Sequence, residues 1–345
     1  MLGFLSFTCT LLLWCLSLVG VIYSPGWLSK VIFGIINGNA IGLMFILGHD
    51  ACHGVLLPKK WMNSMAGKIA LAPAFHSRIA WIYNHNYLHH KYTNIKEMDP
   101  GIAPWDIKDY LKLSPFKQFE YRASRTVYGL GWIYFKEMWI KWQFFPIKSR
   151  APKRYKAFLK EKIALFLFFI MWIALLVWAA VFRAESIWLM VVCGFVIPQM
   201  IWNWLIAFVV LQQHTHPDVA RYSSLDFQLP SITNGQLNST PHLILPPFLK
   251  RSVFHVMEHT AHHLDPSIPF YQLEHAQQHI DKNHPDDIVS EPLTLSSFLK
   301  TITICKLYNY ETHQYVDYEG NCVFRFKVAT YSRRMLPPIP FQSCH

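Results

Sequence analysis

The chain has few charged residues for its 345-residue length. Asp, Glu, Lys and Arg make up 15% of it, whereas soluble proteins average about 25%. Apolar residues account for 52% and aromatic residues for 16%, a composition that indicates a membrane protein. Acidic residues are the scarcer charge, with 21 against 32 basic residues and a net charge of +11. This excess favours anionic lipid, nucleic acid or an acidic protein as a partner.

Cysteine forms no informative pattern. The seven cysteines are scattered, odd in number and without a Cys-x-x-Cys pair, which excludes a disulfide framework and a zinc ribbon. The chain also lacks a Cys-x-x-Cys-His haem site, a cysteine cluster for iron–sulfur and a glycine-rich dinucleotide motif. Any redox chemistry therefore needs electrons from a separate protein.

Four long apolar runs predict membrane spans. About 20 helical residues cross roughly 30 Å of hydrocarbon. The predicted transmembrane helices cover about residues 2–23, 27–47, 163–182 and 187–211. Short polar turns separate the members of each pair, so we predict two helical hairpins. The first run lacks the basic start and small-residue cleavage site of a signal peptide, which favours a span over a cleaved leader.

The basic residues lie mainly in two long segments. Residues 48–162 contain 20 of them and the segment after Leu211 contains 10, whereas the hairpin turns carry only Lys30 and Arg183. Lys and Arg are retained on the cytoplasmic side of membranes. We therefore predict that 48–162 and 212–345 pack together as a cytoplasmic helical cap.

One stretch of the cap combines aromatic residues with lysines. Residues 127–145 interleave Tyr, Trp and Phe with Lys136 and Lys141, which favours a helix in the headgroup region, with a buried cap helix as the alternative. No repeat or flexible linker divides the chain. The predicted fold class is all-α, a single integral membrane domain over residues 1–345 with four transmembrane helices and the cap.

Eight of the 18 histidines fall into three short boxes. These are His49 with His53, His85 with His89 and His90, and His259 with His262 and His263. Residues i and i+4 share a helical face with about 5–6 Å between Cβ atoms, so both imidazoles can reach one metal centre. One such pair arises easily by chance, but three boxes assigned to the same side of the membrane do not. We therefore predict a metal site in the cap.

The number of imidazoles limits which metal ions, and how many, the site can hold. Four-coordinate zinc takes three or four ligands, so eight or nine are too many for one zinc ion, although two zinc ions fit by number. Imidazole suits iron, copper, nickel and zinc, and no thiolate cluster favours copper(I) or iron–sulfur. The spacing predicts a dinuclear site without specifying the element.

Short motifs accompany the boxes. They include Trp61-Met62-Asn63, Phe75-His76-Ser77, Lys91-Tyr92-Thr93-Asn94 with Asp99, His214-Thr215-His216-Pro217, Ile268-Pro269-Phe270-Tyr271 and Cys305-Lys306-Leu307-Tyr308. Together they resemble the membrane fatty acid desaturases, in particular the acyl-lipid delta-12 type of cyanobacteria and other bacteria. The resemblance covers roughly residues 40–106 and 205–320. The second box departs from it, with three residues between its first histidine and the pair where that type usually has two.

The resemblance implies nine metal ligands and no separate catalytic residue. The ninth is His214, whose His-Thr-x-Pro context fits the family, and His216 is the other candidate. The implied ligands are His49, His53, His85, His89, His90, His214, His259, His262 and His263. Residues expected to orient these rings or to be structural are His76, His242, His255, His275, Asp50 and Glu258.

The resemblance also implies the reaction and its partners. Two iron ions would use O₂ to remove two hydrogens from adjacent carbons of an acyl chain, leaving a cis double bond. The substrate would be a fatty acyl membrane lipid, and the electrons would come from ferredoxin or from cytochrome b5 with its reductase, docked on the basic face. A bacterial inner membrane is the expected location, and nucleic acid is not an expected partner.

Two other functions stay open. A di-iron membrane hydroxylase or ketolase acting on alkanes or carotenoids shares the first two boxes, although Leu211-Gln212-Gln213-His214 reproduces only the beginning of an alkane-hydroxylase motif. A metal transporter or sensor is disfavoured because ion pathways place ionisable residues inside the spans. The predicted spans contain almost none.

Overall fold

The computed structural model describes residues 1–144, 152–224 and 237–323. Residues 145–151, 225–236 and 324–345 of the predicted cap lie outside this description. The described α-helices are α1 (Leu2–Tyr23), α2 (Gly26–His53), α3 (Lys60–Leu71), α4 (Arg78–Trp81), α5 (His90–Tyr92), α6 (Ile107–Leu111), α7 (Pro115–Ser124), α8 (Leu130–Ile133), α9 (Tyr155–Phe182), α10 (Ile187–Val191), α11 (Ile197–His214), α12 (Pro247–Ser252), α13 (His259–Leu264), α14 (Phe270–Asn283) and α15 (Leu295–Ile304). The π-helical segments are π1 (Ile82–His89), π2 (Tyr134–Phe144) and π3 (Val192–Val196), and a 3₁₀ turn covers Pro152–Arg154. The strands are β1 (Trp105–Asp106), β2 (His242–Ile244), β3 (Ser290–Pro292), β4 (Leu307–Asn309) and β5 (Gln314–Val316).

Four helices are long and apolar enough to cross a membrane, which confirms the predicted helical membrane protein with four spans. They are α1, α2, α9 and the continuous helix from Ile187 to His214. Three of the helices extend beyond the predicted spans. The second helix continues past residue 47 to His53, the third begins at Tyr155 before residue 163, and the fourth ends at His214 after residue 211. Polar residues prolong each helix because its backbone hydrogen bonds do not stop where the apolar run stops.

The chain folds into two compact units. The first consists of Met1–Tyr87, Tyr134–Ala207 and Pro269–Tyr271. The second consists of Leu88–Ile133, Phe208–Ile268 and the described part of Gln272–His345. The single domain over residues 1–345, the two hairpins and the cytoplasmic cap stay predictions.

Within the first unit, α2 approaches the last predicted span backbone to backbone. A Cβ atom added to Gly38 would lie 2.8 Å from the Pro198 carbonyl oxygen and 2.7 Å from Ile201 Cβ. Gly34, one turn earlier, faces the Cys193 carbonyl oxygen of π3 in the same way. Helices in membranes use small residues for such approaches. These two glycines therefore hold α2 against π3 and the start of α11.

A buried lysine connects two turns of the first unit. Lys30 is 1% exposed, and its ammonium donates to the carbonyl oxygens of Val21 at 2.9 Å and Ile22 at 3.2 Å. The same nitrogen lies 2.7 Å from a carboxylate oxygen of Glu185. Lys30, on α2, therefore links the C-terminal end of α1 to the turn before α10.

We expect Lys30→Met to lower the free energy of unfolding by about 3 kcal/mol. Breaking a buried ion pair costs about 3–5 kcal/mol, and the lower end applies because Glu185 is 24% exposed and also contacts Arg183. Denaturant unfolding in detergent measures the change. Lys68→Met removes an exposed lysine and serves as the control. A Lys30→Met protein as stable as the control would contradict the role of this pair.

The predicted interfacial helix takes the form of α8 and π2. Leu130, Ile133 and Tyr134 are buried on one side, whereas Tyr128 and Trp132 are exposed. The buried face packs as expected for a helix inside the cap, which was the alternative prediction. The exposed aromatic face suits the headgroup region of a membrane. Its position at the membrane surface stays a prediction.

The second unit contains short strands that the sequence did not predict. β1 pairs in parallel with β4, which pairs antiparallel with β5, so that Tyr308 lies opposite Tyr315. β2 pairs in parallel with β3. Tyr110, Tyr121 and Leu307 pack into an apolar cluster beside the three-stranded sheet. The strands were missed because two or three residues carry too little alternation to reveal a strand.

Candidate metal centre

The first unit gathers three box histidines. His49 and His53 occupy successive turns at the end of α2, where Gly54 in the left-handed conformation ends the helix. The Nε2 atom of His49 lies 2.8 Å from that of His85. Each of the three rings offers a nitrogen within 4.8 Å of the other two. These histidines are close enough to contribute ligands to one ion.

His85 lies in π1, where the helix carries an extra residue in its turn. This segment coincides with the second box, whose spacing is one residue longer than the acyl-lipid pattern, and a π-turn is the way a helix accommodates an inserted residue. Trp81 stacks on the His85 ring with centroids 4.8 Å apart. The Asn84 amide donates to the Trp142 carbonyl oxygen at 2.7 Å. These contacts hold the irregular turn in place.

The second unit gathers four buried histidines, which are His89, His214, His259 and His263. The Nε2 atom of His214 lies 3.1 Å from His89 Nε2 and 2.9 Å from His259 Nε2. The Nε2 atom of His263 lies 3.0 Å from His259 Nε2. We call this group the four-histidine cluster.

The four-histidine cluster fits a transition-metal ion. Metal–nitrogen bonds of about 2.1 Å place two ligands at right angles about 3.0 Å apart, which is close to the separations in this cluster. Neutral imidazole is the form that binds metal. Burial, followed by the neighbouring His259, holds the pKa of His263 well below its ordinary value. His263 therefore presents a neutral donor.

His90 and His262 form a further pair, with ring centroids 4.8 Å apart. They are direct neighbours in sequence of His89 and His263, yet the four-histidine cluster does not include them. On α13, His259 and His263 lie one turn apart and converge as the spacing predicts. His262, on a different part of the helix surface, points to His90 instead.

The second box divides between the two groups. His85 lies with His49 in the first unit, and His89 lies with His214 in the second. One histidine box therefore supplies rings to two separate groups.

The structure distinguishes the two candidates for the ninth position. His214 ends α11 and belongs to the four-histidine cluster. His216 turns away, because its Nδ1 atom accepts from the Asp218 N–H at 3.1 Å and its Nε2 atom lies 3.1 Å from Glu291. Both ring nitrogens of His216 therefore have other partners.

Carboxylates orient two of the box rings. Asp99 accepts from His89 Nδ1 at 2.7 Å, which leaves the Nε2 lone pair of His89 pointing into the four-histidine cluster. Asp50, which the sequence indicated for this role, lies 3.3 Å from His49 Nδ1. Glu258, the other acidic candidate, instead lies 3.0 Å from the Lys250 ammonium.

Sequence reasoning missed the role of Asp99, although it belongs to the motif after the second box. Burial alone would raise the pKa of the Asp99 carboxyl, but His89, Arg221 and the Asn94 N–H together lower it below the ordinary value. Asp99 is therefore the ionised acceptor that a ligand histidine requires. The only sign of this role in the sequence is that Asp99 follows His89 by ten residues.

The four histidines that the sequence indicated for orienting or structural roles lie outside the histidine groups. His76 is buried, donating from Nδ1 to the Ala74 carbonyl oxygen at 2.6 Å and accepting from the Tyr134 hydroxyl at 2.8 Å. The further placements are His242 at 2.9 Å from Asp281, His255 at 3.9 Å from Glu274, and His275 on the surface. The contacts of His76 indicate a structural role.

His76 is expected to make stability depend on pH. Burial lowers its pKa from 6.5 to about 4, so the unfolded chain binds this proton first as the pH falls. The folded protein keeps its full stability above about pH 6.5. As the pH falls towards 4, the free energy of unfolding decreases by about 3 kcal/mol because of His76. Unfolding of wild type and His76→Gln from pH 7 to pH 4 measures it. Equal pH slopes in the two proteins would contradict this assignment.

The fold and the site together define a class: a helical membrane protein with histidine groups at the ends of α2 and α11. A family model for fatty acid desaturases matches residues 25–290. The chain belongs to the fatty acid desaturase family, and it is an oxidoreductase. The resemblance seen in the sequence motifs is thereby confirmed.

Curated relatives support the same family. The sn-1 oleoyl-lipid 12-desaturase of Synechocystis sp. is 28% identical over 268 residues, which cover 77% of this chain and 72% of that protein. The protein of the same name from Picosynechococcus sp. is 28% identical over 288 residues, covering 82% and 78%. The chloroplastic omega-6 fatty acid desaturase of Spinacia oleracea is 24% identical over 307 residues, covering 87% and 64%. This chain is thus a desaturase that introduces double bonds into lipid acyl chains.

Proposed function

We propose that this desaturase introduces a cis double bond at position 12 of an oleoyl chain carried by a membrane lipid. The observation that carries the proposal is the family match over residues 25–290, which includes every one of the nine candidate ligands. Four cyanobacterial relatives bear the name sn-1 oleoyl-lipid 12-desaturase. The four spans supply the apolar surroundings that such a substrate requires.

Two iron ions are the proposed cofactor, with O₂ as co-substrate. The proposed ligands are His49, His53, His85, His89, His90, His214, His259, His262 and His263. The separations within the four-histidine cluster support one ion, and His49, His53 and His85 of the first unit offer donors for a second. Iron would supply the oxidising chemistry, because an unactivated methylene offers no handle for acid–base catalysis. The chain supplies imidazole donors, oriented in the case of His89 by Asp99.

A separate acidic carrier, ferredoxin or cytochrome b5 with its reductase, is the proposed electron donor. The net charge of +11 favours docking of such a protein on the basic segments. Those segments are proposed to be cytoplasmic, in a bacterial inner membrane. Salt screens contacts between exposed charges, so turnover that is insensitive to ionic strength would contradict this docking.

Product analysis tests the proposed reaction. A bacterial host supplied with oleate, ferredoxin and its reductase expresses the full chain, and gas chromatography–mass spectrometry locates the double bonds in the total fatty acids. We expect a new double bond at position 12 with wild type and none with His262→Ala. A new bond elsewhere would overturn the position. A new hydroxyl or keto group would favour the hydroxylase or ketolase alternative.

A further inference from the structure

Arg221 is a buried arginine close to the four-histidine cluster. It is 1% exposed, and its Nη1 donates to the carbonyl oxygen of His214 at 3.0 Å. Its own N–H donates to the Tyr308 hydroxyl at 3.0 Å, and its carbonyl oxygen accepts from His313 Nδ1 at 2.9 Å. A charge buried this deeply requires compensation by other groups.

Part of the compensation comes from the charge of Asp99, which interacts electrostatically with Arg221. Asp99 is itself immobilised, because it accepts from the N–H groups of Asn94 and Gly101 at 2.8 Å each. The same carboxylate holds His89. Arg221 thus contacts the main chain of one histidine of the cluster and interacts electrostatically with the carboxylate that orients a second.

Backbone hydrogen bonds tie the same two segments together. The Tyr222 N–H donates to the Asn94 carbonyl oxygen at 3.1 Å, and the Lys96 N–H donates to the Tyr222 carbonyl oxygen at 2.8 Å. This bridge joins the chain after His214 to the chain after His89. Arg221 lies immediately beside it in sequence.

We propose that Arg221 is a positioning residue for the four-histidine cluster. It fixes the main chain of His214, and the adjoining backbone bridge ties this segment to the chain after His89, so that the Nε2 atoms of these two rings stay 3.1 Å apart. This inference rests on the proposed metal site. A planar guanidinium suits the role because it offers five donors in fixed directions along with its charge.

Arg125 offers a matched control for a purely structural role. It is 7% exposed in the same unit. Its guanidinium donates to the Ala103 carbonyl oxygen and lies 5.2 Å from the centre of the Tyr121 ring. Removing Arg125 therefore deletes a buried arginine without touching the contacts of His89 or His214 described above.

Iron binding by the purified full chain in detergent tests the proposal. Fe(II) is titrated against a competing chelator for wild type, R221M, R221Q, R221K and R125M, with thermal unfolding of each metal-free protein alongside. We expect R221M and R221Q to bind iron 10- to 100-fold more weakly, the loss typical of removing an outer partner of a metal ligand. R221K should recover part of the affinity, and R125M should bind as wild type despite a lower unfolding temperature.

A double-mutant cycle tests the route through Asp99. If Arg221 acts partly through this carboxylate, R221M should weaken iron binding less in a D99N background than in wild type. Fully additive losses would contradict that route.

Other outcomes overturn the proposal as a whole. These are wild-type affinity in R221M and R221Q, a loss in R125M as large as that in R221M, or an R221K protein no better than R221M. If R221M fails to fold, R221Q decides, because its shorter, neutral side chain removes the guanidinium while a polar group remains at the buried position. A wild-type chain that binds no iron would instead overturn the proposed metal site.

Discussion

Replacing His214 with alanine is expected to lower desaturation by at least about 100-fold, more than the loss of an outer partner of a metal ligand usually costs. The His214 ring nitrogen lies within 3.1 Å of those of both His89 and His259, so its removal opens the four-histidine cluster. Product formation and iron content of the purified variant measure the effect. We expect iron to fall together with activity.

His216→Gln is the matched control, two residues further along the chain. Its ring contacts Asp218 and Glu291 instead of the cluster, so the variant should keep most activity while losing about 1–3 kcal/mol of stability. Normal turnover in His214→Ala would remove His214 from the ligand set. A folded but inactive His216→Gln would show that the ninth position was assigned to the wrong residue.

Removing iron with a chelator is expected to abolish turnover and leave the helices intact. The spans are stabilised by their apolar surfaces and by contacts such as those of Gly34 and Gly38, which need no metal. Fe(II) should restore activity. Zn(II) should not, because it binds imidazole but has no redox chemistry.

Product analysis and circular dichroism before and after each addition separate these effects. Desaturation by a zinc-loaded chain would contradict iron chemistry. A large loss of helix on chelation would show that the metal holds the spans together, contrary to the expectation from packing.

The membrane class and its four spans were predictable because they depend on local composition. An uninterrupted apolar run of about 20 residues has few alternatives to a spanning helix. The ends were less predictable, as the extension of α2 to His53 and the early start of α9 at Tyr155 show. Composition changes abruptly at those points, whereas hydrogen bonding along the helix does not.

The histidine boxes were equally visible, but the grouping of their members was not. Spacing predicted the convergence of His259 and His263, since α13 is a regular helix. Spacing did not show that His85 and His89 join different groups. That division depends on which distant segments pack beside each ring.

Arg221 and Asp99 show a different limit. Nothing in the sequence relates these residues, which are more than a hundred positions apart, and their relation exists only because the chain after His214 forms a bridge with the chain after the second box. The same long-range pairing brings His89 to His214. Such contacts depend on how distant segments pack, which local patterns do not encode.

The sequence by itself determined that this protein is helical and membrane-embedded, that histidines carry its chemistry, and which family it resembles. These properties follow from composition and short spacings, which act within a few turns of the chain. Only the tertiary structure decided which imidazole nitrogens lie close enough together to share one metal ion. It also decided that His216 turns away from them, and which buried charged residues lie next to the ligand histidines. Those outcomes depend on side-chain directions set by π-turns, helix ends and long-range hydrogen bonds.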